Sequence, residues 1–198
     1  DQQKHFALKV MRPSGDLLLS DAAAKEMFIA EARLAASVKH ANIIEVIDYG
    51  VADDLFPYIV MEYVEGQPLH RILESLQQAE LPEVTRIIRQ VAEGLAVIHE
   101  HGICHRDVKP SNVMLTEQRQ VKVMDFGIAK SHGRQDDPQT RLIGSPAYMA
   151  PEAFDHTNVD PRADLFSLGV LAYELYLGRR PFAGETITAL ASQIRRRR

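Results

Sequence analysis

The stretch "HRDVKPSN" (residues 105–112) decides how this sequence is interpreted. It places a carboxylate, an ammonium group and an amide close together, at Asp107, Lys109 and Asn112. Polar and charged side chains are costly to bury without partners, so a run this polar after an apolar segment is not expected to serve packing. The stretch therefore raises the question of which function needs these three side chains so close together.

The composition is that of an ordinary globular domain and excludes several classes of partner. The chain has 198 residues, of which 45% are hydrophobic and 25% charged, with a net charge of -4. A surface for nucleic acid or for an anionic membrane is therefore not predicted. No apolar run is long enough to span a bilayer, so this segment is expected to make no membrane contact. The single cysteine, Cys104, favours a reducing, cytoplasmic location, although the full-length protein is compatible with a membrane anchor elsewhere.

Strand patterns dominate the first third of the chain. Apolar and polar residues alternate, or apolar residues run together between turn residues, in three segments. These are "HFALKVM" (5–11), "NIIEVIDYG" (42–50) and "FPYIVMEYV" (56–64).

One helix is predicted between the first two of these strands. Asp21 is a suitable N-cap residue, and the helix is expected to run to about Val38. Met27, Leu34 and Val38 form its predicted apolar stripe, and Glu31 falls on that same stripe. A carboxylate on a buried face needs a cationic partner, so the pattern predicts one for Glu31.

Helices dominate after "EGQPL" (65–69). A helix is predicted from Pro82 to about Gly102, and residues 165–177 are apolar enough for a helix buried in the larger part of the fold. The predicted fold class is α+β with two lobes, a small β-rich lobe (residues 1–64) and a larger, mainly helical lobe (residues 65–198). A cleft between two such lobes is the expected ligand site.

A predicted hairpin explains part of the polar stretch. "VMLT" (113–116) and "VKVM" (121–124) form two antiparallel strands, which brings Asn112 and Asp125 to the same end of the hairpin. Carboxylate and amide oxygens suit Mg²⁺, which commonly bridges phosphate oxygens. Either residue alone could also be a turn residue that caps a strand, but this alternative is weaker for the two together beside Asp107 and Lys109.

Four motifs in this order resemble those of a protein kinase. They are "FALKV" (6–10), "HRDVKPSN" (105–112), "DFG" (125–127) and "APE" (150–152). "IVMEYVEG" (59–66) resembles the kinase hinge, and "DLFSLGVLAYEL" (164–175) resembles the central helix of the larger lobe. "GSPAYMAPE" (144–152) and the lysine of "HRDVKP" are similar to serine/threonine kinases of bacterial, eukaryotic-like type.

The resemblance implies Mg²⁺ and ATP as cofactors and protein serine or threonine hydroxyls as substrates. Asp107 would accept the proton of the attacking hydroxyl, and Lys109 would stabilise the transferring phosphoryl group. Asn112 and Asp125 would hold the metal ions. Any dimer would form through regions outside residues 1–198.

The resemblance also implies a nucleotide site. Lys9 would hold the α- and β-phosphates, and Glu31 would be its partner. The adenine would lie between Ala7 and Met114, with Met61 at the back of the pocket. The Glu62 carbonyl and the Val64 backbone would bind its edge. Ala7, Met61 and Met114 are also explained as ordinary core residues, and a pocket wall is partly core.

Residues 125–152 resemble an activation segment, and loops of this length in compact domains are usually functional. Arg106 and Lys130 would form an anion pocket, with Thr140 as the phosphoacceptor. Ser145 stands where threonine is commoner in the family, and it keeps the hydroxyl.

Two departures from the family pattern affect what residues 1–198 would do alone. The glycine-rich loop would lie upstream of Asp1, and the closing helices, with an arginine partner for Glu152, would lie beyond Arg198. We expect residues 1–198 to be a partial kinase domain that is poorly active by itself. The alternatives are a pseudokinase, which the full set of site residues disfavours, and a small-molecule phosphotransferase, which the segment "GSPAYMAPE" disfavours.

Overall fold

The structure is a computed structural model that describes residues 4–11, 18–75, 80–125, 145–155, 159–184 and 186–196. Its elements are β1 (Phe6–Val10), α1 (Leu18–Ser37), β2 (Val46–Ala52), β3 (Phe56–Glu62), β4 (Gly66–Pro68), α2 (Leu69–Ser75), α3 (Leu81–Glu100), β5 (Val113–Thr116), β6 (Val121–Val123), α4 (Arg162–Leu177) and α5 (Ile187–Arg196). The strand-rich beginning and the helical remainder confirm the predicted α+β class. The division between residues 64 and 65 stays a prediction.

The first sheet contains β1, β3 and β2 in that order, and both pairings are antiparallel. All three predicted strands are confirmed, but β2 begins at Val46 and not at Asn42. The residues before it pair elsewhere: Ile44 donates its backbone N–H to the Val123 carbonyl of β6, at 2.9 Å. The first sheet is therefore tied by main-chain hydrogen bonds to a strand of the second.

The helix α1 differs from its prediction in start and in buried face. It begins at Leu18, so Asp21 lies inside the helix and does not cap it. Leu34, predicted as buried, is 40% exposed. The buried residues are Phe28, Ala32 and Ala35, at the i, i+4 and i+7 spacing of one helix face. Val38, also on the predicted stripe, is buried directly after the helix, but within the helix the buried face is shifted by one residue from the predicted one.

The helix α3 confirms its predicted amphipathic pattern. Its buried residues recur at three and four positions, at Val84, Ile87, Val91, Leu95 and Ile98. They join one hydrophobic core that also includes Phe28 and Ile59 from the first part of the chain.

The helix α4 begins at Arg162, three residues before its predicted start, and it is less completely buried than predicted. Leu171 and Leu175 lie in the core, but Leu165 and Leu177 are about half exposed. Across the described ranges, the helices are all too short or too polar to cross a membrane.

The second sheet contains β4, β5 and β6, again antiparallel. The predicted hairpin is confirmed, with Val113 opposite Val123 and Met114 opposite Lys122. The Met124 N–H donates to the Asn112 carbonyl at 2.9 Å, so the strands remain paired to the end of the hairpin. Asn112 and Asp125 are thereby brought to the same end, as the sequence predicts.

Candidate active site

The segment between α3 and β5 carries the polar cluster that the sequence singles out. Asp107 is buried, and its carboxylate lies 2.8 Å from the Lys109 ammonium nitrogen. The amide nitrogen of Asn112 donates to the Asp107 carbonyl at 2.8 Å and to its carboxylate at 3.0 Å. The structure therefore brings Asp107, Lys109 and Asn112 together as one hydrogen-bonded unit.

A residue that the sequence reasoning missed, Asp164, holds this segment in place. Its carboxylate accepts the backbone N–H groups of His105 and Arg106, each at 2.7 Å. It also lies 2.8 Å from Nε2 of His99 on α3. Asp164 is only 1% exposed, and such a buried carboxylate requires partners. The signal was present in the sequence, since Asp164 stands directly before a mostly apolar run at the start of the helix.

The backbone of the polar segment adopts an uncommon conformation that these contacts support. Arg106 has φ 63° and Asp125 has φ 55°, both in the left-handed region. Residues other than glycine occupy this region at a cost, and such positions often lie at functional sites. The two N–H bonds to Asp164 fix the backbone at Arg106, directly before Asp107.

His105 is fully buried beneath the polar segment. Its Nδ1 accepts the Asp107 N–H at 3.3 Å, so Nε2 carries the proton and donates to the Met124 carbonyl at 2.9 Å. Burial lowers the pKa of His105 below its usual value, which keeps the ring neutral. The neutral ring links the backbone at Asp107 to the end of the hairpin.

Lys9 and Asp125 form an ion pair across the opening between the two sheets. The Lys9 ammonium nitrogen lies 2.6 Å from Oδ1 of Asp125. Glu31 and Met61 line the same pocket, and Glu31 is half-buried there. The predicted cation for Glu31 is thus near it, while their pairing stays a prediction.

The residues predicted to hold a metal are suitable for one. Asn112 uses its amide nitrogen on Asp107, which leaves its amide oxygen as the ligand atom, and Asp125 supplies a carboxylate at the same end of the hairpin. Within the described residues, no three His, Cys, Asp or Glu side chains form a metal site by themselves. Two oxygen ligands fit Mg²⁺ that takes its remaining ligands from phosphates and water.

The predicted adenine-pocket residues come from both sheets. Ala7 on β1 pairs with Met61 on β3, and Met61 lines the pocket beside Lys9. Glu62 ends β3, and Val64 lies in the connector to the second sheet. Met114 lies on β5 of that second sheet.

Ser145 joins the site through its backbone. Its N–H donates to Oδ1 of Asp107 at 3.2 Å. Arg106, Asp107, Ser145 and Tyr148 line one small pocket. Lys130 and Thr140 lie outside the described residues, so the structure places neither of them.

The residues after Ser145 are anchored to α4. The Tyr148 hydroxyl donates a short hydrogen bond to Glu174, and the Ser167 hydroxyl donates to the Tyr148 carbonyl at 2.7 Å. Burial and the bond to Glu174 raise the pKa of Tyr148, so the hydroxyl stays protonated. Tyr148, which lines the pocket at Asp107, is therefore held to α4 by two hydrogen bonds.

Comparisons with known proteins agree with this geometry. The family model described as the protein kinase domain matches residues 1–198. The chain is 40% identical to the serine/threonine-protein kinase pkn3 of Myxococcus xanthus, over 96% of the chain and 36% of that relative. It is 37% identical to PknA of Mycobacterium tuberculosis, over 95% of the chain and 44% of that relative. It is 38% identical to PknB of Mycolicibacterium smegmatis, over 96% of the chain and 31% of that relative. The chain thus spans less than half the length of these three relatives.

Proposed function

The chain belongs to the protein kinase family, and from that premise we propose that the full-length protein is a serine/threonine protein kinase. It transfers the γ-phosphoryl group of ATP to serine and threonine hydroxyls of proteins. The observation that carries the proposal is the buried carboxylate of Asp107, held by Asn112 and paired with Lys109 at 2.8 Å. A base placed beside a fixed ammonium is suited to phosphoryl transfer.

The roles of these side chains follow from their chemistry. Asp107 orients the substrate hydroxyl and accepts its proton as the oxygen attacks the phosphorus. The charge of Lys109 stabilises the phosphoryl oxygens during transfer. Bound Mg-ATP supplies the phosphoryl group and the positive charge of the metal. Asn112 and Asp125 would hold that metal through their oxygens.

Nucleotide binding would redirect Lys9 and Asp125. Their ion pair of 2.6 Å uses Oδ1 of Asp125 and one of the three N–H donors of Lys9, so both groups keep further capacity for the metal and the phosphates. We propose that Lys9 turns to the α- and β-phosphates, supported by Glu31, while Asp125 turns to the metal. Both side chains are more than 40% exposed, so this pair is screened by solvent and inexpensive to separate.

The adenine site is proposed from the placement of residues on the two sheets. Ala7 and Met114 would cover the two faces of the base, and Met61 would close the back of the pocket. The Glu62 carbonyl and the Val64 backbone would recognise its edge. Apolar walls with a few polar backbone groups are the usual composition of such pockets.

Labelled ATP offered to the full-length protein tests the proposed function. We expect transfer to a mixed protein substrate that requires Mg²⁺ and stops when the metal is chelated. Acid hydrolysis of the product should yield phosphoserine or phosphothreonine. Lys9→Met is the matched negative control, because it removes the phosphate-binding charge. A wild-type protein that binds ADP but transfers nothing would contradict the proposal and favour a pseudokinase.

Regulation by phosphorylation is a further part of the proposal. Arg106, next to Asp107, would form an anion pocket with Lys130, and a phosphate on Thr140 would order the segment around Ser145. We expect Thr140→Ala to lower the activity of purified protein several-fold, with phosphorylation of Thr140 detected by mass spectrometry in the wild type. Unchanged activity in that variant would contradict the role of Thr140.

Partners and location complete the proposal. The substrates are proteins with accessible serine or threonine, and the kinase domain acts in the cytoplasm. Any dimer would form through parts of the protein outside residues 1–198. A nucleic-acid partner is not proposed, because the net charge is -4.

A further inference from the structure

Two ion pairs join the first sheet to the second. One is Lys9 with Asp125, and the other is Glu62 with Lys122, both at 2.6 Å. Glu62 lies opposite Phe6 in the β1–β3 register, so the two contacts are three residues, or about 10 Å, apart along β1. On the second sheet Lys122 and Asp125 are also three residues apart in the sequence. The sheets are therefore crosslinked at two separate points.

The two pairs differ in environment. The side chains of Lys9 and Asp125 are 43% and 42% exposed, whereas those of Lys122 and Glu62 are 14% and 28% exposed. The Glu62–Lys122 pair is accordingly less screened by water and salt. Nothing in the proposed reaction requires it to separate.

Further hydrogen bonds join the Glu62–Lys122 pair to Ile43 and Glu45, in the stretch that precedes β2. The same carboxylate oxygen of Glu62 accepts the Glu45 N–H at 2.8 Å. The Lys122 ammonium donates to the Ile43 carbonyl at 3.4 Å. Glu62 is the last residue of β3, and only three residues connect it to β4. Lys122 thus holds the chain where it leaves the first sheet for the second.

We propose that Lys122 is a positioning residue for nucleotide binding. Its pair with Glu62 keeps the two sheets in the same relative position. Meanwhile Lys9 and Asp125 move from each other to the phosphates and the metal. The inference rests on the proposed function, because it assumes that the backbone at Glu62 and Val64 binds the adenine. Lys122 lies opposite Met114, the proposed adenine contact on β5. It therefore connects the strand that carries Met114 to Glu62, on the other side of the proposed pocket.

Loss of Lys122 should weaken the contact between Glu62 and β6 without separating the two sheets. The Ile44 N–H bond to the Val123 carbonyl and the Val123 N–H bond to the Asn42 carbonyl, 2.9 and 2.8 Å, do not involve the lysine. The main-chain link between the sheets therefore remains. What changes is the orientation of Glu62 relative to β6.

The test is Lys122→Met in the full-length protein, with ADP binding measured by calorimetry and ATP turnover by steady-state kinetics. We expect ADP affinity to fall, and KM for ATP to rise, by roughly fivefold or more, the lower end of typical couplings between sites. The kcat at saturating ATP should stay within about twofold of wild type, because Asp107 and Lys109 are untouched. Lys122→Arg, which keeps the charge, should recover most of the affinity.

Lys39→Met is the matched control. Lys39 pairs with Glu45 at 3.3 Å, close to the same junction, but its side chain is 74% exposed. Its loss should leave ADP binding unchanged. Glu62→Gln should reproduce the effect of Lys122→Met, and combining the two should add little.

Wild-type ADP affinity in Lys122→Met, or equal weakening in Lys39→Met, would overturn the inference and leave the proposed function intact. A kcat that falls while KM stays unchanged would also overturn it. If the melting temperature of Lys122→Met is well below that of the wild type, ADP binding is measured in Glu62→Gln and Lys122→Arg instead. Wild-type affinity in Glu62→Gln would then overturn the inference. Wild-type protein that binds no ADP would overturn the proposed function and this inference with it.

Discussion

Replacing Asp107 by asparagine in the full-length protein is expected to lower phosphoryl transfer by about a thousandfold, within the range that a positioned base contributes. The amide oxygen still accepts a hydrogen bond, but it does not take up a proton at neutral pH. ADP binding should persist, because Asp107 contacts Lys109, Asn112 and the Ser145 N–H and is not assigned to the nucleotide. Transfer is measured with labelled ATP, and ADP affinity by calorimetry.

Asp54→Asn is the control for this variant. Asp54 lies in the turn between β2 and β3 with φ 54°, a conformation that asparagine tolerates well. The change removes the same charge far along the chain from the site and should leave transfer and melting temperature unchanged. Transfer at the wild-type rate in Asp107→Asn would contradict the assignment of the base.

The fold was predictable where the local pattern and the tertiary environment agree. The helix α3 has a clear apolar face, and that face is the one buried. The hairpin of β5 and β6 was predictable because two short apolar strands flank a polar turn. Phe6, Leu8 and Val10 occupy alternate positions on one face of β1, yet these residues are 45 to 64% exposed. Alternation identifies a strand but does not tell which face has a covering layer.

The face of α1 shows why periodicity alone is insufficient. Leu34 is more hydrophobic than Ala32 or Ala35, so a reading by residue type places it in the core. The structure buries both alanines and exposes Leu34. Which face of a helix is covered depends on how the helix packs against the rest of the fold, and the hydrophobicity of single residues does not determine this.

The site was predictable in its local part only. Asp107, Lys109 and Asn112 lie within one short segment, so their proximity follows from the chain itself. The contacts of Asp164 with the backbone at residues 105 and 106 join positions almost sixty apart. The pairs Lys9–Asp125 and Glu62–Lys122 also join distant parts of the chain. Such contacts depend on how the two sheets and α4 are arranged.

Asp164→Asn is expected to have the largest effect on stability. The carboxylate accepts two backbone N–H groups and faces His99 while only 1% exposed. An amide in its place has one acceptor oxygen, so its NH₂ group would face one of these donors. We expect the free energy of unfolding to fall by about 3 kcal/mol, as when one partner of a buried charged group is lost. Chemical denaturation of the full-length protein measures this free energy from the unfolding transition of the kinase domain.

The same variant should also lower transfer strongly, and for a different reason from Asp107→Asn. With one of the two N–H bonds lost and a donor facing a donor, the backbone at Arg106 is held less well at its φ of 63°, so Asp107 is no longer fixed in position. A displacement of a catalytic group by about 1 Å costs roughly a hundredfold in rate. Asp160→Asn serves as the control, since Asp160 pairs with Arg162 at the exposed start of the same helix, and it should leave transfer and melting temperature unchanged. If Asp164→Asn keeps wild-type stability and transfer, the bonds to His105 and Arg106 do not position the base, and another contact must hold the segment.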